Sequence, residues 1–170
     1  MFDFFRRKKK EKVKTQIAPF ESLRSAVILI DSTDPDWGQA RIKASVFYKA
    51  YGIKGENWYI DLSKRDKDDP LATPLDKSIL REDAKWKRGL PATERLGRLI
   101  EESPDILISL FGTMNPQVER IFSESKAKFK VARNLADPSL ADILIEDTPE
   151  ATLSQEDSLD YIIRCLKKIQ

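Results

Sequence analysis

Short runs of branched apolar residues constrain the fold of this chain more than any other feature. They make up most of three predicted strands, over residues 25–31, 105–111 and 142–145, and none of these segments alternates regularly between apolar and polar residues. A continuous run of this length is typical of a strand that is buried on both faces of a sheet. Such strands occur mainly in parallel sheets that helices cover on both sides. The runs therefore predict an α/β protein.

Segments with helical periodicity separate these runs. Asp34-Pro35-Asp36 supplies an N-cap carboxylate, a proline at the first helical position and a second acid near the helix dipole. The next apolar residues recur at steps of three and four, and Gly52 can end the helix in a left-handed conformation. A second helix is predicted over residues 92–103, and a third after Asn115, which caps it. A last helix is predicted from its cap at Ser154 to the C-terminus.

The order of these elements predicts the architecture. A second strand is expected over residues 57–62, a loop over 63–74, and a short strand or hairpin-like connection over 77–89. Alternation of strand and helix favours parallel pairing through right-handed crossovers. The fold class expected is a three-layer α/β/α sandwich with a mostly parallel sheet, Rossmann-like or flavodoxin-like. At 170 residues the chain has the size of one domain, over residues 21–170, preceded by a basic arm over residues 1–20.

Composition excludes several kinds of catalytic site. The chain has no histidine, which removes Ser-His-Asp triads, Cys-His nucleophiles and histidine-based metal sites. Its single cysteine, Cys165, falls near the apolar stripe of the last helix, where burial favours an unreactive thiol. No secretory signal and no membrane-spanning run is present, so a cytoplasmic protein is expected.

The amino-terminal arm carries all of the net positive charge of the chain. Residues 1–15 hold seven bases and two acids, and the rest of the chain holds 23 bases and 26 acids. The arm joins phenylalanines to a run of bases: Phe4, Phe5, Arg6, Arg7, Lys8, Lys9 and Lys10. This composition suits an unstructured tail, contact with the inner face of an anionic membrane, or binding of RNA without sequence preference. Specific recognition of DNA is not expected.

Polar residues follow the predicted strands, where ligands of open parallel sheets collect. They are Asp31 and Thr33 after the first strand, Asp61 after the second, Gly112 and Thr113 later in the chain, and Asp147 after the last. Convergence of Asp31, Asp61 and Asp147 would suit Mg²⁺ with a phosphorylated substrate. Loop and capping roles explain the same residue types, and neither common phosphate-loop motif occurs. We therefore expect no cofactor and assign no metal site, with Asp31 the carboxylate that capping explains least.

A row of lysines lies in the segment 125–131. If this segment is a strand, Lys126, Lys128 and Lys130 share one side, opposite Ala127, Phe129 and Val131. The favoured interpretation is an edge strand that lysines protect from aggregation. The alternative is a ridge that binds an acidic partner or a phosphate backbone.

Several segments carry a resemblance to a known group of proteins. They include Phe4-Phe5 beside the bases, the first strand running into Asp31 and Thr33, the segment with Trp86, Gly89 and Pro91, the strands at 105–108 and 142–145, and above all Ser125–Val131. With these the chain resembles a small family of Bacteroidetes proteins, a domain of unknown function. One departure is Ala132, where glycine precedes arginine in that family. The resemblance implies a bacterial cytoplasmic α/β protein and implies no activity.

Two functional hypotheses follow. The first is a noncatalytic α/β interaction domain whose basic arm docks on an anionic surface, either the inner membrane face or an RNA assembly, while the body holds a protein partner. The alternative is a small enzyme or ligand-binding protein that takes a phosphorylated ligand at the carboxyl edge of the sheet, with Asp31, Asp61 and Thr113 around it.

Overall fold

The computed structural model describes residues 20–147, 150 and 152–169, so the predicted basic arm lies outside the described residues apart from Phe20. Among these residues, six parallel strands form a central sheet: β1 Ser25–Asp31, β2 Lys54–Asp61, β3 Ser78–Leu80, β6 Ile106–Ser109, β7 Phe129–Arg133 and β8 Ile143–Ile145. Their order across the sheet is β3-β2-β1-β6-β7-β8. The order reverses direction at β1, as in doubly wound folds, and the predicted α/β class is confirmed.

Four helices and a small hairpin complete the part of the chain that the structure describes. The helices are α1 Trp37–Tyr51, α2 Glu94–Glu101, α3 Pro116–Glu124 and α4 Gln155–Lys167, and the hairpin joins β4 Trp86–Lys87 to β5 Leu90–Pro91. Both features suggested for residues 77–89 are present, because β3 precedes the hairpin. Single 3₁₀ turns occupy Phe20–Ser22, Leu75–Lys77 and Pro138–Leu140.

Apolar side chains on the two faces of the sheet form separate core layers. Alternate residues of β1 point to opposite faces, so that Ile28 and Ile30 pack with Phe47 of α1 and with α4, while Leu29 faces the layer of α2 and α3. Ala132, at the position where the family was expected to have glycine, is completely buried in the α2 and α3 layer. The continuous apolar runs therefore fill both layers at once.

Capping explains where most helices begin and end. Asn115 and Ser154 accept hydrogen bonds from the backbone N–H groups of Val118 and Asp157, as predicted, and Gly52 ends α1 in the left-handed conformation. The predicted start of α1 is wrong, because the helix begins at Trp37 rather than after an Asp34 cap. Likewise α2 starts at Glu94 behind a Thr93 cap rather than at residue 92.

The prediction of a lysine-faced edge strand is wrong. Strand β7 lies between β6 and β8, and all five of its residues are buried. Lys130 is only 4% exposed, its ammonium donates to the Ser123 carbonyl, and it lies 5.9 Å from the centre of the Phe122 ring. A long aliphatic stem lets a lysine cover apolar surface while its charged end finds polar partners, and strict alternation does not foresee this.

Candidate functional site

The carboxyl ends of the strands gather the polar residues that the sequence singled out. At the end of β1, Asp31 Oδ1 accepts hydrogen bonds from the backbone N–H of Thr33 at 3.0 Å and from its hydroxyl at 2.6 Å. This is the local turn that aspartate forms with a residue two positions on. Asp31 therefore holds its own loop, and its capacity to act on a ligand is reduced accordingly.

Asp61, at the end of β2, is engaged in the same way. It accepts hydrogen bonds from the backbone and the hydroxyl of Ser63, and Arg65 lies 3.2 Å away. Burial raises the pKa of Asp61, but these hydrogen bonds and the guanidinium outweigh burial and hold the pKa below its usual value. The carboxylate is thus charged and committed to the loop that follows β2.

The expected convergence of Asp31, Asp61 and Asp147 is wrong. Asp31 is opposite Ile60 in the register of the sheet, so alternation points Asp31 and Asp61 to opposite faces. Three strand spacings, roughly 14 Å, separate Asp31 from the end of β8. Among residues 20–147 and 152–169, no three His, Cys, Asp or Glu side chains form a group that could hold a metal ion.

Gln155, which nothing in the sequence marked, joins the loop after β1 to the start of α4. Its side chain is buried, accepts from the Asp31 N–H at 2.8 Å and donates to the Asp31 carbonyl at 2.9 Å and to Asp36 Oδ1 at 3.0 Å. Its own backbone N–H donates to Asp36 Oδ2. Asp36 therefore caps α4 rather than α1, which explains why the start of α1 lacks a side-chain cap.

The loop between β1 and α1 is strongly acidic. Burial raises the pKa of Asp34, and the neighbouring carboxylates of Asp36 and Asp31 raise it further, although a hydrogen bond from the Asp36 backbone opposes the rise. A helix N-terminus otherwise attracts anions. Here the carboxylates oppose that attraction, so the loop between β1 and α1 is poorly suited to a phosphorylated ligand.

At the end of β7, Arg133 is the central polar residue of a second group. It is 2% exposed and donates to the Leu110 carbonyl, to Asp147 Oδ2 at 2.9 Å and to the Leu153 carbonyl at 2.6 Å. Within the described residues, Arg133 Nε and Asp147 Oδ1 are buried without a hydrogen-bond partner. They are the second donor and acceptor of the same ion pair, so a bidentate contact would satisfy both. The group ties the ends of β6 and β8 to the start of α4.

Gly112 and Thr113 take different positions in the loop after β6. The Gly112 carbonyl accepts from Asn134 Nδ2 at 2.8 Å, and a Cβ at Gly112 would lie 3.6 Å from the Arg133 guanidinium. Thr113 is exposed. Gly112 thus belongs to the polar group around Arg133, whereas Thr113 is far more open to solvent.

The lysines before β7 are exposed but paired. Lys126 lies 2.7 Å from Glu101, and Lys128 lies 3.2 Å from Asp105. Phe4, Phe5 and the bases 6–10, the other residues predicted to contact an anionic surface, lie outside the described residues. In the part of the chain that is described, no helix is both long and apolar enough to cross a membrane.

Comparison with known proteins gives one family and no activity. The model of a family of unknown function, DUF6913, matches residues 3–166, which include the basic segment and every strand of the sheet. No curated protein and no solved structure matches the chain. The expected relationship to a domain of unknown function is confirmed, while the Bacteroidetes origin stays a prediction. The chain therefore belongs to the family of unknown function DUF6913.

Proposed function

We propose that this protein is a noncatalytic α/β interaction domain that its basic arm brings to an anionic surface, either the inner membrane face or RNA. The observation that carries the proposal is the uneven charge: seven bases and two acids in the first 15 residues, followed by a mildly acidic remainder. Charge segregated in this way attracts an anionic surface to one end of a chain and leaves the body free for a partner.

The use of polar groups at the carboxyl edge supports a binding role over catalysis. Asp31 and Asp61 bond within the loops that follow their own strands, Arg133 bonds to the loops after β6 and β8, and the acidic loop before α1 opposes a phosphorylated ligand. These contacts stabilise the loops. We therefore expect Asp31→Asn to leave binding to vesicles and to RNA unchanged.

The charge and the phenylalanines of the arm suit reversible binding to an anionic bilayer. Each base near an anionic bilayer is worth about 1 kcal/mol, and each buried phenylalanine adds roughly 2 kcal/mol. Three fewer charges should therefore weaken binding by about 3 kcal/mol, which is about a hundredfold.

Full-length protein tests this with two matched triple variants. One replaces the arm lysines Lys8, Lys9 and Lys10 by glutamine, and the control does the same to the exposed body lysines Lys49, Lys64 and Lys67. Partition is measured on vesicles with and without phosphatidylserine and on single-stranded RNA, at low and physiological salt. The arm variant should lose about a hundredfold in affinity and the control far less. Equal losses in both variants, or no binding to either surface by the unmodified chain, would refute the proposal.

The two surfaces are separated by their responses. RNA binding by the arm should fall steeply and linearly with the logarithm of salt, and three fewer phosphate contacts should reduce that slope by about 2. Binding to phosphatidylserine vesicles should depend in addition on the phenylalanines, so a Phe4→Ser, Phe5→Ser variant should weaken it strongly. The same variant also binds RNA more weakly if nucleobases stack on these two rings. RNA binding by the unmodified chain is nevertheless recognised because it occurs without any lipid.

A further inference from the structure

We infer that the hairpin of residues 85–92 is a second docking element, whose outer face places Leu90 and the bases around it against an anionic lipid bilayer. The inference rests on the proposed function and deepens it, because it names lipid as the surface. Its evidence comes from the structure of residues 85–92 and their contacts with α3, and not from the arm.

The register of the hairpin gives it two distinct faces. Trp86 pairs with Pro91, Lys87 pairs with Leu90, and the Ala92 N–H donates to the Lys85 carbonyl. Directly opposed residues share a face and successive residues alternate. Lys85, Lys87, Leu90 and Ala92 therefore form one face, and all four are exposed.

The inner face anchors the hairpin to α3. The Arg120 guanidinium lies 4.3 Å from the centre of the Trp86 ring, and Trp86 Nε1 donates to Glu124 Oε1 at 3.2 Å. Arg120 and Glu124 are themselves paired at 2.6 Å. The tryptophan is thus held from two sides, and the outer face is presented on a fixed base.

The tip of the hairpin holds a third base. Arg88 and Gly89 both have positive φ, 55° and 79°, as in the two-residue turn that matches the twist of a hairpin. This conformation is common for glycine and asparagine but unusual for arginine. Arginine at this position places a cation at the most prominent point of the hairpin despite a backbone conformation that disfavours it.

The outer face combines free positive charge with exposed apolar surface. Residues 85–92 contain three bases and no acid, and within the described residues Lys85, Lys87 and Arg88 have no ion-pair partner. Leu90 is 68% exposed, more than any other large apolar side chain of the described part. An apolar residue flanked by bases is the composition by which peripheral proteins bind anionic membranes.

The same features favour lipid over nucleic acid. Single-stranded nucleic acids are bound by stacking of their nucleobases on exposed aromatic side chains. The ring of this hairpin, Trp86, is turned inward against Arg120, and the exposed apolar group is an aliphatic leucine. A projecting aliphatic side chain enters the acyl region of a bilayer but offers no platform for a base.

The test uses full-length protein and vesicles of phosphatidylcholine with and without phosphatidylserine. Leu90→Ser is compared with Leu75→Ser, the same change at a leucine that is 58% exposed but lies outside the hairpin. Lys85→Gln with Lys87→Gln is compared with Lys64→Gln and Lys67→Gln, which remove two exposed lysines that lie outside both the hairpin and the arm. All four are also made on the arm variant that lacks Lys8, Lys9 and Lys10.

Leu90→Ser should lower partition onto phosphatidylserine vesicles by about tenfold, and the hairpin lysine pair by about fivefold for each charge, while both controls stay close to the unmodified chain. Equal binding by Leu90→Ser and Leu75→Ser would overturn the inference. So would a loss of RNA binding by the hairpin lysine variant with vesicle binding unchanged, since that assigns the hairpin to nucleic acid.

The arm variants keep the two proposals apart. If the hairpin changes weaken vesicle binding and the arm changes do not, the hairpin assignment stands and the arm proposal fails. If only the arm changes matter, the arm proposal stands and the hairpin assignment fails.

Discussion

At the scale of single residues, the buried pair of Arg133 with Asp147 is the polar contact with the largest expected effect on stability. Asp147→Ala leaves a guanidinium uncompensated in a side chain that is 2% exposed, so the free energy of unfolding should fall by about 3–5 kcal/mol. Glu146→Ala, at the exposed neighbour, should change it by about 0.5 kcal/mol or less. Urea unfolding at neutral pH measures both. A similar loss in the two variants would show that Arg133 does not depend on Asp147.

Glu102 gives a residue-scale prediction for pH. Burial raises its pKa to about 6, the carboxylate of Glu56 contributes, and Lys77 and Trp58 oppose the rise. Between pH 4.5, the ordinary pKa of a glutamate, and about pH 6, Glu102 is therefore protonated in the folded protein but already ionised in the unfolded chain. Stability from this group is present below that window and is lost as pH rises through it.

The variant Glu102→Gln removes this titration. The difference in unfolding free energy between the variant and the unmodified chain should shift in favour of the variant as pH rises from about 4.5 to about 6, and then stay constant. Glu101→Gln, the same change at the adjacent exposed residue, is the matched control. Urea titrations across this range decide the matter, and a flat difference for Glu102→Gln would contradict the assignment.

At the scale of elements, we expect substitutions at the two residues of the hairpin turn to change the stability of the protein in opposite directions. Gly89 has φ of 79° with no atom within 4 Å of a Cβ position, so the cost of Gly89→Ala, about 1 kcal/mol, is one of backbone conformation alone. Arg88→Asn places a residue that tolerates φ of 55° and should stabilise by a similar amount. Thermal unfolding measures both variants. Destabilisation by Arg88→Asn would mean that the arginine side chain makes stabilising contacts in the turn, and that these contacts outweigh the conformational cost of its positive φ.

Packing of α1 on β2 makes a second prediction at this scale. A Cβ at Gly55 would lie 2.2 Å from the Tyr48 ring, whose hydroxyl donates to Asn57 Oδ1 at 2.7 Å. Gly55→Ala must displace that ring and should cost about 2 kcal/mol or more. Gly97→Ala, within α2 with no atom near the added carbon, should instead stabilise by about 0.5–1 kcal/mol. Equal effects of the two changes in urea unfolding would rule out the close approach at Gly55.

At the scale of the whole molecule, two core layers share one sheet. Phe47 belongs to the layer of α1 and α4, and Phe122 to the layer of α2 and α3. If residues 21–170 are one domain, as the sequence predicts, Phe47→Ala and Phe122→Ala should each lower the same transition by about 3–5 kcal/mol. Far-ultraviolet dichroism and tryptophan fluorescence should then coincide through urea unfolding. Separate transitions for the two layers would contradict a single domain.

Much of this architecture is predictable because local patterns report local forces. Branched apolar runs located β1, β6 and β8, and short polar residues located the caps at Asn115 and Ser154. The start of α1 was not predictable, because Asp36 bonds to Gln155, 119 positions along the chain. Nor was the burial of Lys130, because its side chain packs on Phe122 and bonds to Ser123 of α3, on the face that the pattern of the strand suggested to be wet.

By itself, the sequence determined the α/β class, the order of most elements and the separation of a basic arm from a mildly acidic remainder. Only the tertiary structure decided that Asp31 and Asp61 point to opposite faces, that Arg133 joins the loop after β6 to the segment between β8 and α4, and that Lys85, Lys87 and Leu90 share one exposed face. The reason is physical. Periodicity reflects whether a residue faces water or core, whereas the partners of a polar side chain depend on strand order and register, which bring together residues far apart in the chain.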